Sequence, residues 1–130
     1  MMRNMAIGLM MTAVAGMLPM GAAHARDAAL TRQHHVQCLI ATVTLTGSED
    51  PDLSRNAYMA SLFFAGQLFG SNPTIDLPQA VKAELPRLDA EKLETLAGEC
   101  GAELAARGQQ LSAVEQALAE DGGPLASPAP

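Results

Sequence analysis

Cys38 and Cys100 are the two cysteines of a 130-residue chain. A cross-link between them would tie an early segment to a late one. It would close a loop of roughly 60 residues, which the chain-entropy model values at about 4 kcal/mol. Whether two cysteines pair depends on the compartment. Cytosolic thiols stay reduced, and exported ones are oxidised.

The first 25 residues point to export. Seven of the eight Met lie there. Arg3 gives a positive start, Met5 to Met20 is an uncharged and mostly apolar run, and Gly21 to Ala25 reads G-A-A-H-A. Small residues at Ala23 and Ala25 complete the pattern of a cleaved secretory signal. A spanning helix needs about 20 apolar residues, and this run is shorter and holds Gly8, Gly16 and Pro19. The expected product begins at Arg26. It carries no lipid-attachment cysteine and no later segment able to span a membrane. The expected location is periplasmic or secreted, in a bacterium. There Cys38 and Cys100 are expected to form a disulfide.

Composition then narrows the function. Residues 26–130 hold 7 Lys/Arg against 14 Asp/Glu. Such a surface does not suit nucleic acid, which calls for clustered cations. Leu, Ile, Val and Phe make up about 23% of that stretch, just above the ~20% below which chains tend to stay disordered. The core is therefore small, and a covalent staple matters.

The pattern is helical throughout. Val36, Leu39, Ile40 and Val43 keep one helix face over residues 27–46, with Asp27 as the expected cap. Val36, Val43 and Thr42, Thr44 and Thr46 also suit a strand, being β-branched. Asp50-Pro51 starts a second helix. Tyr58, Leu62, Ala65 and Phe69 make a stripe there, with Met59, Phe63 and Gly66 beside it. Apolar almost all round, this helix is expected to be the central one. Asp76, with Gln79 three residues on, caps a third helix whose face is Leu77, Ala80, Val81 and Leu85; Pro86 ends or kinks it. Asp89 opens the last helix. Leu93, Ala97, Cys100, Leu104, Leu111, Val114 and Leu118 form its stripe. Gly98 and Gly101 suit a close approach of another helix. The expected fold is all-α, a small four-helix bundle over residues 26–120, with a disordered tail over 121–130.

Candidate sites are few. No nucleophile elbow, zinc-protease motif or phosphate loop is present. The chain is therefore expected not to be an enzyme and to need no cofactor. His34 and Cys38 share a helix face, His35 adjoins them, and Cys100 would complete four N/S metal ligands. The set matches no standard spacing, and His34 and His35 diverge by about 100° on a helix, so no metal is expected. Glu49, Asp50 and Asp52 lack the pattern of a calcium loop. Tyr58, Phe63, Phe64 and Phe69 are read mainly as core; as an exposed set they are the candidate apolar binding face. Phe63 and Phe64 diverge around the helix, so one is expected to be less buried.

In the order of an export signal, Cys38 in a first helix, the Y-x11-G stretch Tyr58 to Gly70, Asp76-Leu77 and the Glu99-Cys100-Gly101 triplet, the chain resembles small secreted proteins of α-proteobacteria. The likeness covers about residues 30–118. That group has no assigned activity, so the resemblance implies export and fold alone. The overall plan, small, acidic, helical and exported with one disulfide joining two helices, is distantly similar to the acid-stress periplasmic chaperones of the HdeA type. That likeness implies client capture at low pH, and it transfers no residue. The expected function is a non-catalytic binding or interaction module. The alternatives are an acid-stress holdase, then a small metal-binding protein or enzyme. Protein clients or further copies of the chain are the expected partners.

Overall fold

The computed structural model describes residues 20–122, with side chains from His24 onward. Most of the expected leader and the tail beyond Gly122 lie outside the described residues. Four helices follow in order: α1 (Met20–Leu45), α2 (Pro51–Ser71), α3 (Leu77–Glu84) and α4 (Ala90–Glu120), with a 3-10 turn at Leu85–Arg87 between the last two. No strand occurs among the described residues. The protein is an all-α four-helix bundle with a Cys38–Cys100 disulfide.

Three of the four helix starts are written in the sequence. The Asp50 carboxylate accepts from the backbone N–H of Asp52 at 2.9 Å and of Leu53 at 3.2 Å. Asp76 accepts from Gln79 N–H at 2.9 Å, and Asp89 from Lys92 N–H at 2.8 Å. Each satisfies donors that a helix N-terminus leaves open. Asp27 does not cap α1. It lies inside the helix, its carbonyl accepting from Thr31 Oγ1 at 2.9 Å. The alanine-rich segment before it is good helix former and carries the helix further back.

Thr42 and Thr44 in α1, and Thr46 in the turn just after it, do not make a strand. Thr42, Thr44 and Thr46 donate to the carbonyls of Cys38, Ala41 and Val43 at 2.8, 2.7 and 2.7 Å. Such back-bonding satisfies the hydroxyls within helical geometry.

The central helix is α1, not α2 as expected. It packs against α2, α3 and α4 in turn. Val36, Cys38, Leu39, Ile40, Ala41 and Thr42 are buried, which covers nearly the whole circumference. In α2 one face alone is buried, through Ala57, Ala60, Ser61, Phe64 and Leu68. Small Ala and Ser let α2 lie close to α1. Ser61 Oγ donates to Thr42 Oγ1 at 3.1 Å across that contact. No helix among the described residues covers the outer apolar residues of α2.

Helix α3 turns Leu77, Ala80 and Val81 toward the core. Leu85 and Val43 are each half exposed, outside the faces assigned to them from spacing. Pro86 ends α3 as expected, in the 3-10 turn. In α4 the stripe holds only in its first half. Leu96 and Cys100 are buried, and Leu93 and Leu104 pack at the edge of the core. Leu111, Val114 and Leu118 are exposed. Gly98 and Gly101 do not mark a close approach, because a Cβ at either would meet nothing within 4 Å.

Candidate functional site

The disulfide sits at the crossing of α1 and α4, with Cα atoms 5.6 Å apart and both cysteines fully buried. Helical spacing gathers polar groups around it. His34 lies one turn before Cys38, and Glu103 lies three residues after Cys100, so each pair shares a face. His34 Nε2 is 3.5 Å from Cys38 Sγ and 3.3 Å from Glu103 Oε2. His35 Nε2 reaches the other carboxylate oxygen, Glu103 Oε1, at 3.4 Å. The His35 ring also lies 6.0 Å from that of Phe64. His34, Cys38 and Cys100 present ligand atoms within 4.8 Å of one another.

The four residues singled out in sequence therefore do meet, but not as four ligands. His34 faces the sulfurs. His35 points past them to Glu103. That carboxylate was missing from the sequence reading. Its signal was the spacing from Cys100, which places it on the buried side of α4.

A second polar centre was also missed. Glu84, at the end of α3, is buried with 7% exposure. Its carboxylate accepts from Gln33 Nε2 at 3.2 Å, from Gln37 Nε2 at 3.1 Å and from Arg87 Nη1 at 2.6 Å. A buried carboxylate is tolerated when paired and fully bonded. Here it fastens α3 to α1. Beside it, Gln33, Gln37, Leu88, Lys92 and Leu96 line a groove of about 580 Å³. Thr95 and the carboxylates of Asp89, Glu91 and Glu99 also line it.

The aromatic cluster divides. Phe64 is fully buried, and Phe63 packs edge-on against it with ring centroids 5.1 Å apart. Phe63 is the less buried of the two, as their divergence implied. Tyr58 is 57% exposed and Phe69 46%. Tyr58 and Phe69 leave the core reading and join Met59 and Leu62 on the outer face of α2.

The widest departure from the expected bundle is the second half of α4. From Ala105 onward every described residue is exposed. Leu104, Leu111 and Val114 line an apolar groove of about 550 Å³ whose other wall is Phe63. No helix among the described residues is long and apolar enough to cross a membrane. Comparison with protein-family models, with curated proteins and with solved structures found no match for this chain.

Proposed function

We propose that this exported protein is a non-catalytic interaction module whose docking element is the exposed second half of α4. The observation that carries the reading is the run of Leu111, Val114 and Leu118, uncovered on a helix whose first half packs into the core. Leu104, Leu111 and Leu118 recur every seven residues, with Arg107 and Val114 between them. That is a short seam of the coiled-coil kind, about two heptads long, with leucine at each a position and Val114 at one d position. Beyond Leu104, which packs at the edge of the core, no helix among the described residues covers this seam, and a helix from another chain can.

The occupant we assign is the same segment of a second copy, running antiparallel. Charge supports this choice. Arg107 is the one cation from residue 105 to 122, and Glu115, Glu120 and Asp121 follow it. Antiparallel pairing centred between Leu111 and Val114 sets Arg107 within one helical turn of Glu115 and Asp121 of the second copy. Parallel pairing would set Arg107 beside its own copy and acid beside acid. The arm of residues 105–120 is roughly 24 Å long at about 1.5 Å per residue. Two such arms make a small contact, so the dimer belongs to the weak, concentration-dependent class.

Sedimentation equilibrium of the processed, oxidised protein over a wide concentration range tests this. A reversible dimer is expected, lost in Leu111→Asp with helicity intact. Arg107→Glu should weaken it, and Arg107→Glu with Glu115→Arg should recover it. A monomer at all concentrations would overturn the self-pairing. A monomer that suppresses aggregation of a defined client at acid pH, and not near neutral pH, would replace it with the holdase reading.

A further inference from the structure

We propose that the dithiol form of this protein binds one Zn²⁺ through His34 Nε2, Cys38 Sγ, Cys100 Sγ and a Glu103 carboxylate oxygen, and that forming the disulfide releases it. Every chain passes through the dithiol form before its cysteines are joined.

The geometry of the oxidised protein already holds the His34 side of the site. Tetrahedral zinc takes sulfur at about 2.3 Å, and nitrogen or oxygen at about 2.0–2.2 Å. Those bond lengths set the edges of the ligand tetrahedron at roughly 3.3–3.4 Å for N to O and roughly 3.5–3.6 Å for N to S. His34 Nε2 to Glu103 Oε2 is 3.3 Å, and His34 Nε2 to Cys38 Sγ is 3.5 Å. Two movements complete the tetrahedron: the two sulfurs part to roughly 3.8 Å, and the Glu103 carboxylate, which lies outside the 4.8 Å cluster of His34, Cys38 and Cys100, swings in toward the sulfurs. With Cα atoms 5.6 Å apart, side-chain rotation can supply that opening with both helices in place. One soft pair, one imidazole and one carboxylate suit zinc better than a hard cation.

The surroundings match as well. His35 Nε2 lies 3.4 Å from Glu103 Oε1, the carboxylate oxygen that would not face the metal. An outer-shell partner of this kind holds a ligand in its bound orientation. Both sulfurs are buried, whereas the His34 side chain is 36% exposed and that of Glu103 25%. Their side of the site is the way in for an ion.

The chemistry balances without a further reactant on the binding side. As two Zn–S bonds form, two thiol protons pass to solvent. Release needs an oxidant, here a disulfide of the glutathione or protein class. The two thiolates give up two electrons and form the Cys38–Cys100 bond. The oxidant's S–S bond takes those electrons and two protons from solvent and becomes two thiols. Zinc leaves as Zn²⁺, its charge unchanged.

The test is Co²⁺ titration of the full processed chain after phosphine reduction under argon, followed by displacement with Zn²⁺. One equivalent should give the intense visible bands of tetrahedral cobalt and a thiolate charge-transfer band. His34→Ala should weaken binding by more than about 100-fold, since removing even an outer-shell partner costs 10–100-fold. His35→Gln should weaken it by about 10–100-fold. Oxidised glutathione should discharge the spectrum and free one equivalent of metal. A pale octahedral spectrum, a stoichiometry other than one, or wild-type affinity in His34→Ala would each overturn the site. If the reduced, metal-free chain loses helicity, one equivalent of Zn²⁺ should restore it in the wild type and not in His34→Ala. Failure to restore it would also overturn the site.

Discussion

Replacing both cysteines, as Cys38→Ala with Cys100→Ala, tests what holds α4 to the bundle. Alanine is chosen because both sites are fully buried and it adds no polar group to them. Leu96 and Cys100 are the buried residues of α4, with Leu93 and Leu104 at the edge of the core. Burying one leucine fully contributes about 1.5–3 kcal/mol. The cross-link contributes about 4 kcal/mol through the unfolded chain. The covalent contribution is thus comparable to the apolar docking of the whole helix. A loss of about 4 kcal/mol is expected. At about 4–8 °C per kcal/mol for a domain of this size, the thermal midpoint should fall by roughly 15–30 °C. Denaturant melts followed by circular dichroism give the energy, and native-state hydrogen exchange gives the location. Amides of α4 should lose protection before those of α1 and α2. A loss under about 1 kcal/mol, or α4 amides as protected as those of α1, would show that side-chain packing alone holds α4.

Two further substitutions probe the rest of the core. Phe64→Ala should cost about 3–5 kcal/mol, because Phe64 is fully buried, while Phe69→Ala on the exposed face should stay within about 0.5 kcal/mol; equal losses in chemical denaturation would refute the division of the aromatic cluster. Glu84→Ala should cost about 1–3 kcal/mol by orphaning Gln33 and Gln37, and Glu84→Gln, which keeps an acceptor oxygen, should cost less. Matching melts for the wild type and both Glu84 variants would remove that carboxylate from the account of how α3 is fastened.

Local signals in this chain are legible and global ones are less so. Asp50, Asp76 and Asp89 announce their helices because a cap acts within three residues. Pro86 ends α3 for an equally local reason. The cysteine pairing was legible because two cysteines leave one intramolecular pairing. Which helix is central was not legible. Both α1 and α2 carry apolar residues on several sides, and only the arrangement of the other helices decides whose outer face is covered. Tyr58 and Phe69 follow the same helical spacing as core residues, so periodicity could not mark them as exposed. Glu84 and Glu103 were missed because a carboxylate on a helix reads as solvated unless its partners on other helices are known.

The exposed arm follows from where the cross-link falls. At about 1.5 Å per residue, α2 with its 21 residues is roughly 32 Å long, and α4 with its 31 is roughly 46 Å. The exposed overshoot of α4, residues 105–120, accounts for roughly 24 Å of that length. Cys100 lies in the first half of α4, facing a cysteine near the middle of the buried stretch of α1. The overshoot is then placed entirely on the C-terminal side, where Leu111, Val114 and Leu118 follow. The disulfide and the proposed zinc site act at that same crossing. Either would hold α4 on α1 and keep the arm projecting. The metal-free dithiol alone lacks both restraints, and in that form the arm's seam should be least able to meet a second copy in a fixed orientation.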